Sequence, residues 1–205
     1  MNYKTNEELI EGMKQSGVLR SEEVLKAFEC VDRQLFIPSE YSQLPYLDRP
    51  LPIGKNQTIS QPSTVAFMLE LLDVKKGDRV LDIGSGSGWT TGLLGSLTGE
   101  SGSVEGVERV EELTKIGKSN IAKLGMKNIN IEKASSDLGK PGEKFDAILV
   151  SASAEDVPNE LFDQLKIGAR LVIPVKNSIF KFHKISEKNI QMQEYEGFVF
   201  VPLIY

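Results

Sequence analysis

Ten residues constrain this chain more than any others: Val80-Leu81-Asp82-Ile83-Gly84-Ser85-Gly86-Ser87-Gly88-Trp89. Three β-compatible apolar residues around one acid run straight into a glycine-rich turn, and residues 90–97 suit a helix. Strand, tight turn and helix start, in that order, bring backbone N–H groups up to a nucleotide-like ligand. Glycine at 84, 86 and 88 permits positive φ and lets a ligand lie on bare backbone. The dinucleotide fingerprint G-x-G-x-x-G requires a glycine where this chain has Trp89. G-x-G-x-G, with Asp82 before it and Glu108 about one β-α-β unit later, favours S-adenosylmethionine over NAD. A glycine triplet alone also serves as a plain structural turn; the flanking strand and helix, with Glu108, favour the ligand.

At 205 residues the chain suits one domain with a full core, and 40% hydrophobic with 26% charged residues is the balance of a water-exposed globular protein. No apolar run is long enough to span a bilayer. Residues 1–11 are polar and acidic, unlike a signal or transit peptide, so a cytoplasmic location is expected. A net charge of −5 argues against a non-specific nucleic-acid binder. Cys30 alone cannot form an internal disulfide; its helical setting among Val24, Leu25, Ala27 and Phe28 predicts a buried thiol.

Residues 5–16 read as a helix that Thr5 or Asn6 can cap and Gly17 stops. A second helix runs from Ser21 to about Cys30. Residues 33–59, rich in proline and aromatics, show no helical period and suggest a lid or an irregular wrap over the core. In Gln57-Thr58-Ile59-Ser60-Gln61-Pro62, Ser60 is placed to N-cap a helix running to about Leu72, with Pro62 in its first turn. The functional alternative is that its hydroxyl and the free N–H groups of that helix start receive a carboxylate.

Beyond the glycine turn, strands are expected at 103–108, 129–131, 145–150, 171–175, 179–185 and 198–204, and helices at 111–124 and 158–165. Alternating elements followed by strands without long crossovers predict an α/β fold: a doubly wound, mostly parallel seven-stranded sheet with a C-terminal antiparallel hairpin. The chain reads as one domain, with residues 1–60 as N-terminal helices and lid-like loop over a cofactor-binding core, 61–205.

Tyr46-Leu47-Asp48-Arg49-Pro50-Leu51-Pro52-Ile53-Gly54, the 57–62 segment, the glycine turn, Glu108-Arg109, Phe145-Asp146-Ala147-Ile148, Val157-Pro158, Gln164-Leu165-Lys166, Leu171-Val172-Ile173-Pro174-Val175 and Phe200-Val201-Pro202-Leu203 form a set of stretches. Together they resemble the protein-L-isoaspartate (D-aspartate) O-methyltransferase family. The likeness covers about residue 33 to the C-terminus, and the Thr-Ile-Ser-Gln-Pro segment is its specific part. It implies a class I S-adenosylmethionine-dependent methyltransferase fold. It also implies methyl transfer to the free carboxylate of an isoaspartyl residue in a damaged protein. The ester then closes to a succinimide whose hydrolysis returns some aspartate. Isoaspartyl proteins and peptides are the implied partners; composition leads us to expect no membrane or nucleic-acid partner, and a monomer is expected.

That chemistry suits a chain with one histidine, His183, in a strand-like stretch, no His/Asp/Ser or Cys/His constellation and no metal-ligand spacing. A carboxylate is already ionised at neutral pH and can attack a sulfonium methyl without a general base. Alignment alone is then worth roughly 7–11 kcal/mol. The resemblance makes Ser60 the catalytic residue, an orienter of the acceptor carboxylate. It sets Gln57, Thr58 and Ile59 against cofactor and substrate, Gly84, Ser85 and Gly86 along the methionine end, and Glu108 on the ribose hydroxyls. Gly88, Arg109, Ser135 and Ser136 complete the expected cofactor set. Asp82 either orients the turn or reaches the cofactor ammonium.

Two positions depart from the family pattern. Ala134-Ser135-Ser136 stands where Gly-Asp-Gly is usual, so Ser135 replaces the aspartate that meets the adenine amino group, unless Asp137 substitutes. Ser63 stands where Tyr or His is frequent. The alternatives are a related methyltransferase with another acceptor, a cofactor-binding homologue without turnover, and an NAD-type dehydrogenase, against which Trp89 speaks.

Overall fold

A computed structural model describes Met1 and residues 3–204. Two short helices, α1 (Asn6–Gln15) and α2 (Glu22–Cys30), open the chain, capped by the hydroxyls of Thr5 and Ser21. The buried stripe of α2 is Val24, Ala27 and Phe28. Cys30 falls off that stripe and is exposed, so the expectation of a buried thiol is corrected by helix phase.

Residues 33–59 are more ordered than their composition suggests. Two 3-10 turns, Arg33–Phe36 and Ser39–Tyr41, lead to a hairpin of β1 (Leu51–Gly54) and β2 (Gln57–Ile59). Lys55 and Asn56 both adopt positive φ, the condition for a twist-compatible two-residue hairpin turn. β1 alternates buried Leu51 and Ile53 with exposed Pro52 and Gly54, but over four residues that is too little to announce a strand.

The main sheet has the order β5-β4-β3-β6-β7-β8-β9. It comprises β3 (Arg79–Ile83), β4 (Ser103–Glu108), β5 (Ile129–Lys133), β6 (Phe145–Val150), β7 (Leu165–Val175), β8 (Ser178–Ser186) and β9 (Asn189–Glu196). The first five run parallel; β8 pairs antiparallel with β7, and β9 with β8. Helices α3 (Pro62–Leu72), α4 (Trp89–Thr98) and α5 (Glu111–Ala122) complete the set. All five helices bury their apolar faces in one cluster with Val80, Val104, Ala147 and Val172. The opposite face, with Leu81, Ile83, Phe145, Ile148 and Leu171, is covered without an α-helix, Leu161 being the contribution of a 3-10 element.

That element is Asn159–Gln164, where an α-helix is expected over 158–165. The reason is room: β7 begins at Leu165, and the ammonium of Lys184, itself buried, takes the Phe162 and Leu165 carbonyls. The seventh strand also differs. It is the polar, mostly exposed edge strand β9, whose place is set by pairing to β8 rather than by apolar alternation. Residues 198–204 are an apolar run that suits a strand, yet they cross the end of the sheet with a single bridge, Ser153 to Pro202. His183 lies in β8, half-buried. Among the described residues no helix is long and apolar enough to cross a membrane.

Candidate active site

The strand order turns outward in both directions from β3, and the crevice beyond the carboxyl ends of β3, β4 and β6 is where such sheets receive ligands. A cleft opens there. Gln57, Thr58, Gly84, Gly86, Glu108, Arg109 and Ser135 line it, together with Asp137. A smaller recess shares Thr58, Gly84, Gly86 and Ser151 with the cleft and adds Ile59, Ser60 and Ser85. Most of the expected site residues therefore gather around two adjoining spaces.

Three do not reach its wall. Gly88 is the left-handed residue before α4, where a Cβ would stand 2.9 Å from Ile121. Ser136 is exposed on the neighbouring loop. Asp82 is fully buried beneath the turn, accepting hydrogen bonds from the hydroxyls of Thr90 at 2.8 Å, Thr91 at 2.6 Å and Ser151 at 3.3 Å. Burial pushes its carboxyl up to about 6, against the three hydroxyl bonds that favour the charged form.

The glycine turn is braced from within. Gly84 and Ser85 donate their N–H groups to the Val107 carbonyl, and Gly88 donates to Ser85. Gly86 donates to Glu108 Oε2 at 2.9 Å, while Glu108 Oε1 accepts from Val110 N at 2.8 Å. The turn's amides are thus largely consumed, and its offering to a ligand is a surface without side chains. Glu108 keeps lone pairs free on both oxygens at the edge of the cleft. The Ser85 hydroxyl, buried, has no hydrogen-bond partner among the described residues. An orphaned hydroxyl beside bare backbone, with an acid one strand away, fits a polar nucleoside with a charged tail.

Ser60 is not the N-cap of α3. Gln61 holds that position with no side-chain cap bond. The capping carboxylate arrives from the preceding loop, where Asp48 Oδ1 accepts from Ser63 N at 2.9 Å. This corrects two expectations: Ser60 is released from capping, and a donor expected to greet an acceptor carboxylate already holds one of the protein's own. Half-buried, the Ser60 hydroxyl has no partner among the described residues.

The other end of the cleft is set by the 134–139 loop. The Ser135 hydroxyl is bonded back to the Asp137 backbone, and its carbonyl accepts from Arg109 Nη1 at 3.0 Å. The far wall is the C-terminal segment Val201, Pro202, Leu203 and Ile204, fixed by two 2.8 Å backbone bonds with Ser153. Sequence reading missed this wall, together with Ser151; Pro202, which has no N–H, was the signal that 198–204 is not a regular strand.

Comparison with known proteins agrees with this geometry. The family model for protein-L-isoaspartate(D-aspartate) O-methyltransferase matches residues 4–205. The chain belongs to that family. Protein-L-isoaspartate O-methyltransferase of Pyrococcus horikoshii is 36% identical over 98% of this chain and 94% of its own length. That of Petrotoga mobilis is 42% identical over 94% and 91%. A Plasmodium falciparum structure, described as a candidate protein-L-isoaspartate O-methyltransferase in complex with S-adenosyl-L-homocysteine, superposes with a TM-score of 0.84. It is 29% identical and covers 98% of this chain and 99% of that one. Membership in the protein-L-isoaspartate O-methyltransferase family makes the chain an S-adenosylmethionine-dependent methyltransferase with the class I α/β fold.

Proposed function

We propose that this protein methylates the free carboxylate of isoaspartyl, or D-aspartyl, residues in damaged proteins by alignment, with Ser60 as the orienting group. The observation that carries this reading is the Ser60 hydroxyl, relieved of capping by Asp48, in a recess that shares Thr58, Gly84, Gly86 and Ser151 with the cofactor cleft. When bound, S-adenosylmethionine supplies an electrophilic methyl group. The acceptor is an anion at neutral pH, so no residue has to remove a proton. The protein's part is to bring the reactants together in a fixed attitude.

Glu108 accepts hydrogen bonds from the ribose hydroxyls. Gly84 and Gly86 give close approach at the methionine end, where Ser85 supplies its unused hydroxyl. Gln57, Thr58 and Ile59 lie between cofactor and substrate. Asp82 acts from below, by fixing the start of α4. At the adenine end the Ser135 hydroxyl is spent within its own loop, and Asp137 provides the anionic acceptor, its backbone bonds leaving the carboxylate for the cleft. The net charge of −5 supports a protein acceptor over a nucleic acid. We read the enzyme as a cytoplasmic monomer.

The test uses labelled S-adenosylmethionine and a matched pair of peptides, one isoaspartyl and one aspartyl. Base-labile label is expected on the isoaspartyl member alone. Label on both, or on neither, would refute the assignment.

A further inference from the structure

The first residue of the first 3-10 turn, Arg33, has its whole side chain inside the protein at 0% exposure. Its guanidinium meets four backbone carbonyls. Nη1 donates to Pro45 at 2.9 Å and Leu47 at 3.2 Å; Nη2 donates to Arg49 at 3.0 Å and Ser60 at 3.2 Å. The same group lies 5.4 Å from the centre of the Trp89 ring. Trp89 opens α4 directly after the glycine turn, and its Nε1 donates to Val31, two residues before Arg33. Burial lowers Arg33 to about 10, opposed by the charge of Asp48, so it remains a cation at neutral pH.

We propose that Arg33 is a positioning residue for methyl transfer, holding Ser60 in register with the glycine turn. This rests on the reading of Ser60 given above. Bonding the Ser60 carbonyl fixes the 60–61 peptide plane, and with it the direction from which the Ser60 hydroxyl enters the recess. The other three carbonyls belong to the segment carrying Asp48, which grips the same corner from the far side through Ser63 N. Contact with Trp89 refers that corner to the helix that begins where the turn ends. A planar fork with donors on two separate nitrogens reaches carbonyls on both sides; a lysine ammonium, a single point, does not.

Arg33→Lys and Arg33→Gln are compared with the unsubstituted protein for turnover of an isoaspartyl peptide, KM, S-adenosylhomocysteine affinity by calorimetry and melting temperature. The same substitutions are then repeated in a Ser60→Ala background. In at least one variant, turnover is expected to fall by about 10- to 100-fold while S-adenosylhomocysteine affinity stays within about 2-fold, because misplacement of roughly an ångström has effects of that size. In the Ser60→Ala background the added loss is expected to vanish, since Arg33 acts through Ser60. Turnover within about 2-fold of the parent in both folded variants would overturn the role. So would additive losses with Ser60→Ala, or affinity and melting falling in step with turnover in both variants, which would make Arg33 a folding residue only. Absence of turnover in the unsubstituted protein would instead strike the function itself, and the Arg33 role with it.

Discussion

The proposed cofactor half of the site, from Gly84 to Glu108, is held by neighbouring strands and the turn between them. The proposed acceptor half, around Ser60, hangs on side chains sent from elsewhere: Asp48 to the start of α3 and Arg33 to the Ser60 carbonyl. In the first half a regular fold makes the site. In the second an irregular segment is pinned against that fold, at points that no periodicity foretells. A substitution in the first should therefore act on cofactor affinity, and one in the second on turnover.

The sharpest way to break this division is Ser60→Ala. Turnover of an isoaspartyl peptide is expected to fall about 100- to 1,000-fold, with S-adenosylhomocysteine affinity nearly unchanged. A parallel loss of both in calorimetry and initial rates would merge the two halves. The next effect lies beneath the turn. Burial favours the protonated form of Asp82 in the folded chain, so its contribution to stability is greatest below pH 4 and declines as pH rises through about 6. Against Asp82→Asn, urea unfolding should show the relative stability of the parent falling by up to roughly 3 kcal/mol between pH 4 and 7. A pH-independent difference would mean that Asp82 stays charged throughout.

Glu108→Ala should weaken S-adenosylhomocysteine binding about 10- to 100-fold, the worth of hydrogen bonds to a charged group, and unchanged affinity would remove it from the ribose. Asp48→Ala should lower turnover while S-adenosylhomocysteine affinity holds, and has the smallest effect on stability, about 1 kcal/mol from the lost cap on α3, read from the denaturation midpoint. No change there would show that the helix start finds another partner.

The same division decides what was legible in the sequence. Val80 to Ile83, the glycines and the helix after them announce themselves because hydrophobic period switches across a turn that only small residues can make. Glu108 follows from the next strand's length. Asp48 capping α3 could not be read, since the donor and acceptor lie fifteen positions apart in a segment without period. The nearby Ser60 looked like the cap because local sequence is all that a capping rule sees. The apolar run 198–204 predicts a strand where the chain makes only a single bridge, while β9 carries no apolar signal because an edge strand need not be buried. Cys30 was placed on the wrong side of α2 by a phase error of one position.

The internal bracing of the glycine turn has one more consequence. A loop whose amides are already bonded to Val107, Ser85 and Glu108 meets a nucleoside with its backbone largely fixed. Such a rigid seat loses little conformational freedom on occupation, so contact energy passes almost undiminished into affinity for both donor and spent product. Tight product binding is the expected companion of that economy.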